Sequence, residues 1–346
     1  MSDLPLIYDL SLEQLQTAIE GWGEPTYRAR QIWQGLYRRL VHTPSEMTDL
    51  PSALRQQLME TFRFESPAPI GHLRSRDGST EKVLLPLHDG QSVEAVLMHY
   101  DRRRTACIST QVGCAMGCSF CATGQMGLKR NLSAGEIVLQ VLYFARQLAH
   151  DQQRLDNVVV MGMGEPLHNY QALSAAIRRL NHAQGYGLGS RRITVSTVGL
   201  IPGIEQFGRD FPQVNLAISL HAANDELRNQ LIPANKRYPL NALIHACQAH
   251  IAKTGRRITF EWALIRNLND GPEHAQELAS LVSGLNCHVN LIPLNPTANY
   301  PGEPSSKART DAFARVLSQH HIPNSVRVRR GLDIDAGCGQ LATKAA

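Results

Sequence analysis

The sequence predicts an α/β protein: a partial (β/α)6 barrel with a small helical N-terminal domain and a short β-meander linking them. Three observations predict it. Apolar residues recur at helical spacing up to about residue 68, they alternate from about 69 to 100, and beyond that an apolar strand, a loop and an amphipathic helix recur about six times. Six units are too few for a closed eight-fold barrel, so a partial barrel or an open sheet fits. The expected division is 1–68, 69–104 and 105–346.

Taken in order, "LEQLQTAIEGW", "YRARQIWQGLYRRL" and "PSALRQQLMETF" predict the three helices of the N-terminal module. The strand patterns "IGHLRSR", "EKVLLPL" and "VEAVLMHY" follow, separated by the hairpin signals Asp77-Gly78 and Asp89-Gly90. The barrel strands are then "TACIST", "NVVVMG", "RITVST", "VNLAIS", "RITFEWAL", "HVNLIPL" and "SVRVRR". Among the intervening helices, "SAGEIVLQVLYFARQLAH" opens with Ser133 and Glu136 in capping-box spacing.

With 43% apolar and 19% charged residues the chain reads as a globular protein. The start "MSDLPLIYDLSLEQLQ" lacks a signal peptide's basic and apolar regions and no run of eighteen apolar residues occurs, so a cytoplasmic location with no membrane is expected. A net charge of +5 permits a nucleic-acid partner without demanding one. Seven cysteines make a poor disulfide framework in a chain of this length, which points to reduced thiols used for metal or catalysis.

In parallel α/β folds chemistry gathers beyond the carboxyl ends of the strands. Cys114, Cys118 and Cys121, in C-x3-C-x2-C spacing, follow the first barrel strand on a glycine-containing loop. A structural zinc would want four ligands, and the remaining nearby thiol, Cys107, lies inside a strand pattern. A cubane iron–sulfur cluster held by three cysteines keeps one iron open to a small ligand. With Phe120 before the last cysteine, the spacing resembles the radical S-adenosylmethionine enzymes. On the same rim "MGMGEPLHN" offers Gly164 for close backbone approach and Glu165 for an ammonium. Ser196 ends the third strand, Ser219, Leu220 and His221 the fourth, and Asn295 follows the sixth. Each of these polar groups could equally cap a turn or bond within the core.

Together "QVGCAMGCSFCATG", "MGMGEPLHN", "VSTVGL", "SLHAANDELRNQLIPANKRYPL" and "RRGLDIDAGCGQL" resemble the RlmN/Cfr family of radical S-adenosylmethionine RNA methyltransferases over nearly the whole chain. The resemblance implies a radical-SAM partial barrel carrying one [4Fe-4S] cluster on Cys114, Cys118 and Cys121. It implies methylation of an adenine ring carbon, C2 in RlmN and C8 in Cfr, at adenine-2503 of 23S rRNA and, for RlmN members, at adenine-37 of tRNA. Two S-adenosylmethionine molecules would be used per turnover. One would methylate Cys338; the other would supply a radical that activates that methyl for addition to the base. Cys107 would then release the product through a transient disulfide. A low-potential electron donor, flavodoxin- or ferredoxin-like, is implied as a partner.

The family match also implies a catalytic-base role for Glu94, although a cross-strand pair with Lys82 explains an acid on that strand as well. Where the family commonly has alanine before the shuttle cysteine, this chain has Gly337. Arg102 to Arg104 and Arg327, Arg329 and Arg330 flank the expected site, where RNA phosphates would pass. Cys247 and Cys287 are expected in the core. Two other readings stay open at this point: a zinc RNA-binding protein without catalysis, and a radical enzyme acting on a peptide or metabolite.

Overall fold

A computed structural model describes residues 4–343. The N-terminal module holds α1 (Leu12–Gly21), α2 (Tyr27–Tyr37) and α3 (Ser52–Thr61). Ser11 starts α1 because its hydroxyl accepts from the Gln14 N–H while the Gln14 side chain accepts from its own, which satisfies two otherwise free donors. The apolar faces meet over Leu15, Ile19, Ile32, Leu36, Leu54 and Leu58, all buried.

Strands β1 (Gly71–Arg74), β2 (Thr80–Pro86) and β3 (Ser92–Tyr100) form the antiparallel meander, with the glycines of both Asp-Gly turns at positive φ. The meander does more than link. β4 (Arg103–Cys107) pairs antiparallel with β3, placing Cys107 opposite Val96, and its other edge begins the parallel barrel, so one sheet runs through both regions.

β5 (Gln111–Gly113) and β6 (Leu128–Asn131) form a separate two-stranded ribbon that brackets the cysteine loop and the short α4 (Ala122–Gln125). The chain continues through α5 (Ala134–His150), β7 (Asn157–Val160), α6 (Tyr170–Asn181), β8 (Ile193–Thr197), α7 (Ile201–Asp210) and β9 (Asn215–Ser219). It ends with α8 (Asp225–Leu231), α9 (Leu240–Thr254), β10 (Ile258–Leu264), α10 (Pro272–Leu281), β11 (Cys287–Pro293), α11 (Lys307–Gln319) and β12 (Asn324–Val326). The capping box read from Ser133 and Glu136 starts α5.

The large sheet has the order β1-β2-β3-β4-β7-β8-β9-β10-β11-β12. From β4 to β12 every pairing is parallel, which gives seven strands and six crossovers, and the sheet ends on β1 and β12 rather than closing. Its strands bury Val158, Val195, Ile218, Phe260, Trp262 and Leu291 against the helices. Among the described residues no helix is long and apolar enough to cross a membrane.

Candidate active site

The cysteine loop is anchored at both ends. Cys114 donates its N–H to the Gly127 carbonyl at 3.0 Å, and Ser119 donates to Leu231 at 3.1 Å. Cys114, Cys118 and Cys121 therefore line one cavity at the carboxyl ends of the strands. Burial pushes Cys114 up to about 12 and raises Cys118 and Cys121, backbone hydrogen bonds opposing it at Cys114 and Cys121; the neighbouring Cys121 raises Cys114 and Cys118 further. Such thiols become thiolates when a cationic centre sits among them. Three thiols on one cavity wall could each ligate a different iron of a cubane cluster and leave the fourth iron open.

Glu165 reaches this cavity after β7. It is 2% exposed, and its carboxylate accepts from the backbone N–H of Leu167 at 3.0 Å and of Val198 at 2.9 Å. Burial outweighs these bonds and pushes the carboxyl up to about 7, so an arriving ammonium would find a poorly compensated acid. Gly164 also lines the cavity, but its glycine requirement comes from the protein: at φ +100°, an added Cβ would lie 2.6 Å from the Gln111 side chain.

Ser196 and Ser219, ending adjacent strands, line the cavity with their hydroxyls 3.4 Å apart. His221 lines it too, at φ +60°. Its Nδ1 accepts from the Ala263 N–H at 2.9 Å, so Nε2 carries the proton, and burial with nearby Arg228 pushes the ring down to about 3. Leu220, between Ser219 and His221, is fully buried and does not line the cavity; its N–H donates to the Glu261 carbonyl and its carbonyl accepts from Arg228.

The C-terminal segment lies across the mouth. Ala122 donates to the Gly339 carbonyl at 2.8 Å, Thr123 to Leu341 at 2.6 Å, and Gln340 to Pro296 at 2.9 Å. Asn295 donates to the Cys338 carbonyl at 3.0 Å and lines the cavity. Cys338 thereby lines both the cysteine-loop cavity and a second, adjoining one that contains Cys107 at the end of β4. Burial, with Cys338 nearby, pushes Cys107 up to about 12.

Arg327, expected to meet phosphate, instead donates to the Cys338 sulfur at 3.3 Å, because the chain turns inward after the three residues of β12. Arg329 and Arg330 line the second cavity as expected. Arg102 to Arg104 lie at the opposite end of β4 from the cysteine loop. Arg104 is spent on the Tyr100 carbonyl and Gln153.

Glu94 and Lys82 pair at 3.1 Å, both buried, as diagonal neighbours: the register sets Glu94 opposite Leu84 and Lys82 opposite Val96. The pair does more than balance charge. Glu94 accepts from the Ala342 N–H at 2.8 Å and Lys82 donates to the Asp335 carbonyl at 3.2 Å, so it holds the C-terminal segment from behind. Sequence reasoning missed this and the Thr123 contact, since both depend on where the tail lies. Cys247 and Cys287 are buried core thiols, as expected.

The Radical SAM superfamily model matches residues 108–281, and the ribosomal RNA large subunit methyltransferase N-terminal domain matches 6–63. The dual-specificity RNA methyltransferase RlmN 1 of Myxococcus xanthus is 49% identical, over 97% of this chain and 93% of its own. The probable dual-specificity RNA methyltransferase RlmN of Geobacillus thermodenitrificans is 48% identical over 99% of this chain and 93% of its own. The crystal structure of a radical SAM methyltransferase from Sphaerobacter thermophilus, 49% identical, superposes with a TM-score of 0.96 over 98% of this chain and 100% of that one. Continuous from the helical module to the sulfur-bearing tail, these likenesses show that the chain belongs to the RlmN family of radical S-adenosylmethionine RNA methyltransferases.

Proposed function

We propose that the protein methylates C2 of adenine-2503 in 23S rRNA and of adenine-37 in tRNAs, using Cys338 as methyl carrier and Cys107 as the resolving thiol. The observation that carries this reading is the position of Cys338 on the wall shared by two cavities, one holding the three-thiol loop and the other Cys107. A carrier that visits two partners needs that position.

Cys114, Cys118 and Cys121 would hold one [4Fe-4S] cluster; bound beside it, S-adenosylmethionine supplies the methyl group and a 5′-deoxyadenosyl radical, two molecules being used per turnover. Glu165, with Ser196, Ser219, the Nε2–H of neutral His221 and Asn295, would bind that cofactor's polar groups, Gly164 supplying a wall without a side chain. Arg327 orients the Cys338 sulfur. Glu94 is engaged by the tail, so it can act as a base toward the adenine only after the Ala342 N–H leaves it. Cys107 starts as a buried neutral thiol, which keeps it silent until the adduct forms. Its thiolate then attacks the Cys338 sulfur, the S–S bond forming as the sulfur–carbon bond to the product breaks; the electron pair passes to the product carbon, which takes up a proton to complete the methyl group, and a thiol reductant reopens the disulfide for the next turnover. An electron donor of flavodoxin or ferredoxin type and a cytoplasmic setting complete the reading.

The test is anaerobic reconstitution with iron and sulfide, reduction, and incubation with a 23S rRNA fragment and a tRNA. Mass spectrometry of the digested nucleosides should give 2-methyladenosine from both. An 8-methyladenosine product, or no methylation by protein containing four irons, overturns the proposal.

A further inference from the structure

The end of the barrel opposite the cysteine loop is not used by the site described above. The segments entering the strands there, 101–104, 151–156, 182–192, 211–214, 255–257, 282–286 and 320–323, hold eight arginines and no lysine against three aspartates. Their net +5 equals the formal charge of the whole chain. The sheet register makes this a continuous arc rather than scattered charge. Arg104 adjoins Asp156, Asn157 is level with Arg192, and Arg257 is level with Asn215. Five neighbouring strand starts at about 4.8 Å spacing span about 19 Å.

The arginines fall into two groups. Arg104, Arg191 and Arg256 are bonded to Gln153, Gln213 and Asn215. Arg102, Arg103, Arg154, Arg192 and Arg257 are exposed and make no side-chain hydrogen bond or ion pair among the described residues. Beside Arg256 and Arg257 lies a hollow of about 560 Å³ whose lining includes Thr194, Thr259 and Asn286 and no carboxylate. Arg256 keeps a buried Nε without a partner there. A donor-rich hollow without carboxylates fits phosphate oxygens, and planar guanidinium suits them better than ammonium.

At its β4 edge the arc also adjoins the second cavity. The Arg103 guanidinium lies 4.4 Å from the centre of the Tyr100 ring, and Arg330, which lines the cavity holding Cys107 and Cys338, lies 4.7 Å from the same ring.

We infer that this end of the barrel is a second RNA-binding surface, which holds the phosphates of RNA flanking the target through Arg154, Arg192 and Arg257. The inference rests on the reading of the protein as an RNA methyltransferase and adds that long substrates are held at two places. Pairing with phosphate fixes position without reading sequence, and each pairing contributes to the salt dependence of binding.

The test compares wild type with the triple variant Arg154→Gln, Arg192→Gln, Arg257→Gln on two RNAs, a long 23S rRNA fragment and the isolated target hairpin. Filter binding over a salt series should show the slope of log affinity against log salt fall by about 2 to 3 on the long fragment, since each phosphate no longer neutralised removes about 0.7–0.9. KM for that fragment should rise about tenfold, with kcat and both constants for the hairpin unchanged. An unchanged slope on the long fragment, or an equal loss on both RNAs, overturns the inference. So does loss of binding to phosphatidylglycerol vesicles with RNA binding intact. If wild type methylates neither RNA, the proposed function fails, while the salt slopes still decide the surface.

Discussion

Glu165 links a single side chain to a pH profile. Its folded pKa of about 7 lies above the ordinary 4.5, so its contribution to stability is complete below about 4.5 and is lost as pH rises through about 7. Thermal melts of the cofactor-free protein should show a fall in Tm over that window that Glu165→Gln flattens, and the same variant should bind S-adenosylmethionine at least tenfold more weakly by calorimetry. Cys107→Ala should leave methylation of Cys338 intact and trap enzyme joined to RNA, visible as a shifted band on a denaturing gel. If it turns over normally, Cys107 is not the resolving thiol. At Gly337 an added Cβ would lie 2.6 Å from Asn295 Nδ2 and 2.7 Å from Gln340 Oε1, so in this chain an alanine there displaces two side chains that hold the tail. The thiol loop and Glu165 were readable because each sits in a short local motif whose chemistry survives without tertiary context. Leu220 lies buried between two residues that line the cavity, and the burial of that middle residue is a tertiary fact no local motif shows.

Among the elements, the C-terminal segment and β3 depend on each other. Lys82→Met removes the partner of buried Glu94 and the donor to Asp335, so hydrogen exchange at the Ala342 amide should speed at least tenfold relative to wild type. Unchanged protection there would show that the pair does not hold the segment. The Lys82–Glu94 pairing was legible in outline, since both residues fall on one face of neighbouring strands. Its grip on residues 335 and 342 was not, because nothing local connects positions about 250 residues apart. The ribbon of β5 and β6 was likewise invisible: strands of three and four residues leave no period to detect.

At the scale of the whole molecule, two barrel arginines fasten the helical module. Arg146 donates to the Leu40 and Val41 carbonyls and the Tyr8 hydroxyl, and Arg179 donates to the Asp9 and Leu10 carbonyls. Arg146→Ala should cost about 2–4 kcal/mol, measured by urea denaturation, because it leaves buried acceptors without donors. A loss under about 0.5 kcal/mol would mean the module is held by apolar packing alone. The six crossovers and the open barrel were legible from the repeating pattern. The continuity of the meander with the barrel was not, because pairing of β3 with β4 is set by register and not by composition. The tail across the mouth has a kinetic corollary. While residues 335–342 are docked, Cys338 lines the thiol-loop cavity and is also exposed to solvent, so it can be charged on one side before it delivers to RNA on the other. Enzyme charged with isotope-labelled donor, freed of the excess and then given unlabelled donor should therefore deliver labelled carbon to RNA in a first burst, with an amplitude set by the fraction of chains charged.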